Sequence, residues 1–336
     1  QIQQYKQKYE LNEIPAPLIN DNDVLVKTGA AGFCHTDYQV WEGVYESPCP
    51  IVPSHEPVGT IVAVGSVAQA KWKVGQRVGV LLFRHACKTC INCETTNDIR
   101  FCGSANLAGL KGDGGFAEYI VGDADNLCLL PEDIQFEQGA PLMCAGATVW
   151  GAIQSGKVAP GASIGVIGIG GLGSLAVQFA KALGHPVVAI DNRLEGRDLA
   201  TEFPLKADLV LDSQDPEAVF KAKTYAGKGG LSAIIVCTDD VPVIEWSLNL
   251  LRPNGVCVPL GLPVSSLQFN SFTLIFQQIT VVGSLVATQA EAQKMLDTAA
   301  KFGIRSHVTV IPIEKAVDLP DLYMDKHLKG RLVVRF

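Results

Sequence analysis

Three things are scarce in this chain: long apolar runs, an excess of basic residues and low-complexity sequence. The most apolar stretch, Ala162 to Val177, is broken by five glycines, so no segment reads as a membrane-spanning helix. Lys and Arg number 27 against 34 Asp and Glu, a net charge of −7, which argues against nucleic acid or an anionic membrane as the main partner. No internal repeat or long linker is evident, and nothing near the start resembles a signal peptide. The chain starts at Gln1 rather than Met, which leaves room for a leader removed before it. Charged residues make up only 18% against 48% hydrophobic, a globular balance.

What is present begins with length. At 336 residues the chain exceeds one simple core, and two domains are expected. The first part, to about residue 146, reads as short strands punctuated by Gly and Pro, clearest at Asp23–Thr28, Val58–Val64, Arg77–Leu82 and Phe116–Val121. From Ser163 the texture changes to apolar runs at Ile164–Ile167, Val187–Ile190, Leu209–Leu211, Ala233–Val236, Val256–Leu260 and Thr280–Val282. Helical patterns such as Glu217–Ala226 and Val243–Leu251 separate most of them. That alternation predicts an α/β fold with a doubly wound parallel sheet. A tail from about Leu285 carries one helical pattern, Gln289–Phe302, then short strands.

Between the first run and the next helix lies Gly168-Ile169-Gly170-Gly171-Leu172-Gly173, a G-x-G-x-x-G in its required strand–turn–helix setting. The first glycine permits a tight turn, the second a close backbone approach to pyrophosphate, and the third close packing of helix on strand. Asp191 ends the second run, eighteen residues after Gly173, where a carboxylate can accept bonds from a ribose diol. A dinucleotide cofactor is expected, NAD rather than NADP, with Arg193 close enough to soften the choice.

Ten cysteines in so long a chain do not read as a secreted disulfide framework. Cys87, Cys90, Cys93 and Cys102 fall within a polar segment at spacings that let one loop wrap a tetrahedral zinc. A nucleic-acid-binding knuckle is disfavoured by the acidic balance. A dispersed set, Cys34-His35-Thr36-Asp37, His55-Glu56 and Cys144, has the two-Cys, one-His composition of a catalytic zinc with an open position. Cysteines engaged by metals imply a reduced, cytoplasmic setting.

Gly32-Phe33-Cys34-His35-Thr36-Asp37, His55-Glu56, Gly114 to Tyr119, Pro141 to Gly146, Gly168 to Gly173, Leu251 to Gly255 and Gly330-Arg331 together resemble the zinc-dependent medium-chain alcohol dehydrogenases, especially their yeast-type branch. The resemblance implies a GroES-like β-rich catalytic domain (1–146 and 285–336) with a Rossmann domain (147–284) inserted. It implies two zinc ions per chain, a catalytic one on Cys34, His55 and Cys144 with Glu56 able to approach, and a structural one on Cys87, Cys90, Cys93 and Cys102. Asp37 is then the carboxylate that orients His55, and Thr36 the acceptor of the alcohol proton. Glu42 stands where yeast-type enzymes carry a relay histidine.

On the cofactor side the resemblance assigns Gly168, Gly170, Gly171, Leu172, Gly173 and Asp191. It places His35, Arg197 and Arg331 at the pyrophosphate or adenosine, and Thr148 beside the nicotinamide. Eight residues separate Cys93 from Cys102 where the family usually has seven, and the loop from Trp41 to His55 is two residues shorter. Phe83, Tyr45, Trp41 and Leu107 are candidate pocket walls. The expected activity is hydride transfer between an alcohol, or its aldehyde or ketone, and NAD, by a homodimer or homotetramer. The alternatives are a polyol, cinnamyl-type or secondary-metabolite dehydrogenase, or a zinc- and nucleotide-binding protein without turnover.

Overall fold

Val24 and Val26 are fully buried while Lys27 between them and Thr28 faces solvent, the period-two pattern of a half-buried strand. In a computed structural model describing residues 1–336, that strand is β1 (Asp23–Phe33), five residues longer than its apolar pattern predicts. The extension is written in small residues because other side chains lie against it. A Cβ on Gly29 would fall 2.3 Å from the Phe136 ring, and one on Gly32 would fall 1.9 Å from Glu56 Oε2.

The chain forms two compact units. The first comprises Gln1–Cys144, Thr288–Ala300 and Val308–Phe336. Its seven-stranded sheet runs Val308–Pro312, Arg331–Arg335, β1, β2 (Glu56–Val64), Arg77–Val80 and Leu127–Leu129, with Tyr119–Asp123 pairing the first half of β1. The tail therefore supplies strands to the sheet begun by the N-terminal part. Beneath it Val24, Val26, Ile61, Val78 and Leu127 form one core, and Phe33, Val40, Ile51, Leu319 and Leu332 another. Each such side chain contributes about 1.5–3 kcal/mol relative to exposure.

The second unit comprises Ala145–Ala287 and Lys301–His307. Its six parallel strands stand in the order Leu209–Leu211, Val187–Ile190, Ile164–Ile167, Leu231–Val236, Leu251–Pro259 and Thr280–Val281. In chain order this is 3-2-1-4-5-6, the doubly wound dinucleotide-binding arrangement, so the fold is the expected α/β one. The two central strands and Val187–Ile190 are buried on both faces, which is why they read as unbroken apolar runs. No helix is long and apolar enough to cross a membrane.

Candidate active site and metal centres

At the end of β1 the chain turns into helix α1 (His35–Glu42), capped by Cys34. Asp37, the third helical residue and fully buried, accepts a hydrogen bond from the Cys34 backbone N–H at 2.9 Å, which fixes the turn. Its other oxygen accepts from the Ser54 N–H at 3.1 Å and meets His55 Nδ1 at 3.0 Å. With Nδ1 held by a carboxylate, the His55 Nε2 lone pair is left for a metal. Antiparallel pairing of Gly32 with Glu56 sets His55 beside Cys34.

Cys144, next after the Ala140–Met143 turn, puts its sulfur 4.0 Å from that of Cys34. The ligand atoms of Cys34, His55, Glu56 and Cys144 all lie within 4.8 Å of one another. Two thiolates on one tetrahedral zinc, each at about 2.3 Å, are roughly 3.8 Å apart, so the donor set fits zinc. Burial disfavours a charged His55, yet Asp37 and Cys34 hold its pKa well above the ordinary value. The Cys144 contact lowers the pKa of Cys34.

Glu56 is fully buried and its carboxyl is pushed up to about 7 by desolvation, against the opposing pull of Arg331. One oxygen pairs with the Arg331 guanidinium, while Oε2 has no hydrogen-bond partner. A buried, unpartnered carboxylate oxygen inside a ligand group is a second sign that the pocket suits a cation. Arg331, assigned from sequence to the cofactor, is thus 5% exposed and engaged with Glu56.

The second thiol cluster lies in the connection between the two strands of a ribbon, Phe83–Arg84 and Asn106–Leu107. Cys87, Cys90, Cys93 and Cys102 bring their sulfurs within 4.8 Å of one another, with Cys87 3.6 Å from Cys102 and 4.0 Å from Cys93. Cys90 caps α2 (Ile91–Thr96), and Asn97 ends that helix in the left-handed region at φ 49°. Between there and Cys102 lies a single 3₁₀ turn, Ile99–Phe101, capped by Asp98. Ile91 and Phe101 are exposed, so this lobe has little apolar core of its own.

In the second unit Gly168 adopts φ +84°, and a Cβ on Gly173 would fall 2.1 Å from the Gly168 carbonyl oxygen, so both positions require glycine. Leu172 caps the Gly173–Ala182 helix, and Gly170 and Gly171 are half-buried at its mouth. Asp191 is 5% exposed, and its carboxylate accepts from the Ile169 N–H at 2.6 Å and the Arg193 N–H at 2.8 Å. Gly168, Gly170, Asp191, Arg193 and Thr238 line one cavity. Arg197 donates to the Asp191 and Asn192 carbonyls and pairs with Asp212 at 3.0 Å. Thr148 is half-buried on the Ala145–Ser155 helix.

Four further residues have local partners. His35 Nδ1 meets the Tyr323 hydroxyl at 3.1 Å. Trp41 donates to the Gln7 carbonyl and packs on Tyr38, and Phe83 pairs with Leu107 in the ribbon. Glu42 ends α1 six residues beyond Thr36, about 9 Å along the axis and on a different face. Three residues after Thr36 lies Gln39, buried on the same face and holding the Tyr45 hydroxyl at 2.8 Å. Sequence reading passed over Gln39; the signal was the i, i+3 spacing.

Residues 20–132 match the family described as the alcohol dehydrogenase GroES-like domain, and residues 171–301 match the zinc-binding dehydrogenase family. An alcohol dehydrogenase of Geobacillus stearothermophilus is 34% identical over 99% of this chain and 98% of its own. A solved cinnamyl alcohol dehydrogenase from Sorghum bicolor is 31% identical, with a TM-score of 0.83 over 96% of this chain and 92% of that one. The alcohol dehydrogenase of Aeropyrum pernix superposes with a TM-score of 0.87 at 26% identity, over 99% and 98% of the two chains. Matched along almost its whole length, the chain belongs to the zinc-type medium-chain alcohol dehydrogenase family and is a zinc-dependent oxidoreductase acting on alcohols.

Proposed function

We propose that the chain is an NAD-dependent alcohol dehydrogenase of the yeast-type branch, with residues 1–146 and 285–336 as catalytic domain and 147–284 as dinucleotide domain. The observation that carries this is the convergence of Cys34, His55 and Cys144, with Asp37 fixing the His55 ring. A zinc held by these three supplies Lewis acidity that lowers the pKa of an alcohol hydroxyl. Cys87, Cys90, Cys93 and Cys102 hold a second zinc that supports the fold. Thr36 accepts the alcohol's proton, His35 and Thr148 line the cofactor's path, and Asp191 holds its ribose. Thiolate sites of this kind persist in a reducing compartment, so the cytoplasm is the setting this reading favours.

Thr36→Ala should lower alcohol oxidation about 100-fold, and Glu42→Gln by less than about threefold, in initial rates at neutral pH. A free glutamate, with a pKa near about 4.3, is a poor proton carrier there. Were Glu42→Gln the more damaging, Glu42 rather than Thr36 would carry the proton.

NAD follows from Asp191, since a 2′-phosphate beside that carboxylate sets like charges together. Asp191→Ser should lower kcat/KM for NAD and raise it for NADP, with Arg193 then free to meet the phosphate. A parent that prefers NADP would remove this assignment.

The cinnamyl-type reading draws on the Sorghum likeness. Following nicotinamide absorbance across aliphatic, cinnamyl and polyol substrates decides between the readings, and no turnover of any of them would favour a non-catalytic role.

A homo-oligomer is also part of this reading. Val264, Phe272, Ile275 and Phe276 are 70–94% exposed, on and near the Ser271–Gln277 helix in the unit whose edge strand is Thr280–Val281. Phe276→Glu should shift light-scattering mass toward the monomer's 35.8 kDa. An unchanged mass would place the interface elsewhere.

A further inference from the structure

We propose that Gly196 is a positioning residue for cofactor choice: having no side chain, it lets the Asp191 carboxylate lodge against the next helix with both oxygens set for a ribose diol. The inference rests on the reading of Asp191 given above. Gly196 is buried in the first turn of the Leu194–Glu202 helix, where Ala is the better helix former. Its φ is not positive, so turn geometry does not call for glycine there. Space does. A Cβ on Gly196 would fall 2.3 Å from Asp191 Oδ2, 2.4 Å from its Cγ and 2.9 Å from Oδ1, and these are its three nearest atoms.

A carboxylate on a free side chain would swing aside at little cost, but this one is pinned. Oδ2 accepts from the Ile169 N–H at 2.6 Å, and Oδ1 from the Arg193 N–H at 2.8 Å. Arg193 Nε adds a third hold, 3.5 Å from Oδ1. Through Ile169 the carboxylate ties itself to the glycine turn, and through Arg193 to the start of the helix. The positive end of that helix favours the anion held against it.

An ionised carboxylate offers about four acceptor positions. The two backbone N–H groups occupy one on each oxygen and leave one on each open, matching the two O–H donors of a ribose diol. Asp191 is 5% exposed and lines the cavity shared with Gly168 and Gly170, so the open positions face a space that a ligand can enter. A side chain at 196 would displace Oδ2 first, because that oxygen is nearest, and with it the bond to Ile169. The carboxylate would then turn and no longer offer both acceptors together.

The test is Gly196→Ala, read first without turnover. ADP and 2′-deoxy-ADP are titrated by calorimetry into the parent, Gly196→Ala, Asp191→Ala and the double variant. We expect the parent to prefer ADP, and Gly196→Ala to lose at least about tenfold for ADP but less than about threefold for 2′-deoxy-ADP, the scale of one hydrogen bond to a charged group. In turnover, the ratio of kcat/KM for NAD to that for NADP should fall with it. The midpoint of thermal unfolding should drop by several degrees when Gly196→Ala is made in the parent. Made in Asp191→Ala, the same change should leave the midpoint level or raise it, since only the helix preference for Ala remains.

An ADP preference or a cofactor ratio kept in Gly196→Ala overturns the proposal, as does a midpoint lowered equally in both backgrounds. Equal losses for the two nucleotides also overturn it, because they mark general damage to the turn. A parent without the preference, or an Asp191→Ala protein that keeps it, rejects the reading of Asp191 and the proposal with it. If Gly196→Ala fails to fold, the double variant decides. It must then be soluble and at least as stable as Asp191→Ala, and a double variant that also fails to fold rejects the carboxylate as the obstacle.

Discussion

His55→Ala and Cys144→Ser should each lower alcohol oxidation by at least about a thousandfold, roughly 4 kcal/mol of barrier, while the far-ultraviolet spectrum and the cooperativity of unfolding stay near those of the parent. His55 and Cys144 join Cys34 from three separate segments of the first unit, so losing one ligand breaks the donor set and leaves the sheet's hydrogen bonding intact. The His55 ring is 1% exposed, and Ala leaves Asp37 buried with a site once occupied by imidazole, so some loss of stability accompanies the loss of rate. The measurement is kcat on variants whose metal content has been determined. Near-parent turnover in a variant retaining one zinc per chain would remove the catalytic-zinc assignment.

Cys90→Ala should do the opposite. Here the expected result is a midpoint of thermal unfolding lowered by several degrees, reduced soluble yield, and activity per folded molecule within a few-fold of the parent. The lobe from Cys87 to Cys102 holds short helical turns and exposed Ile91 and Phe101, so on the structural-zinc reading metal binding would supply free energy that a core supplies elsewhere. The Arg100–Asp98 pair and the Asn92 amide to the Phe101 carbonyl at 2.9 Å are too few to hold it alone. A Cys90→Ala protein as stable as the parent, with only one metal site found in both, would sink the structural-zinc reading.

How much was legible in the sequence differs between the two units for a physical reason. The inner strands of the parallel sheet are buried on both faces and read as apolar runs bounded by turns, and all six runs match strands of that sheet. The two cysteine and histidine groups that the structure brings together were legible because these residues are rare enough for their spacing to carry information. The far half of β1 was not, since Gly29, Ala30, Ala31 and Gly32 are small so that Phe136 and Glu56 can approach, and small residues have no period. Charged residues are less legible, because their partners are not announced by the linear sequence. Arg197, placed at the cofactor by resemblance, donates to the carbonyls of its own turn, and Arg331, placed there likewise, pairs with Glu56. Tyr45 was visible only as an aromatic ring; what its hydroxyl does depends on a chain reversal at Gly43.

The pairing of Gly32 with Glu56 carries one more consequence. Successive residues of a strand point to opposite faces, so a slip of β1 against β2 by a single residue would turn Glu56 away from the pocket and pull His55 out of line with Cys34. Only one alignment of the two strands lets both ligands grasp the same ion. On the zinc reading proposed above, an ion bound there would favour this alignment over a slipped one, adding to the register set by buried Val24 and Val26.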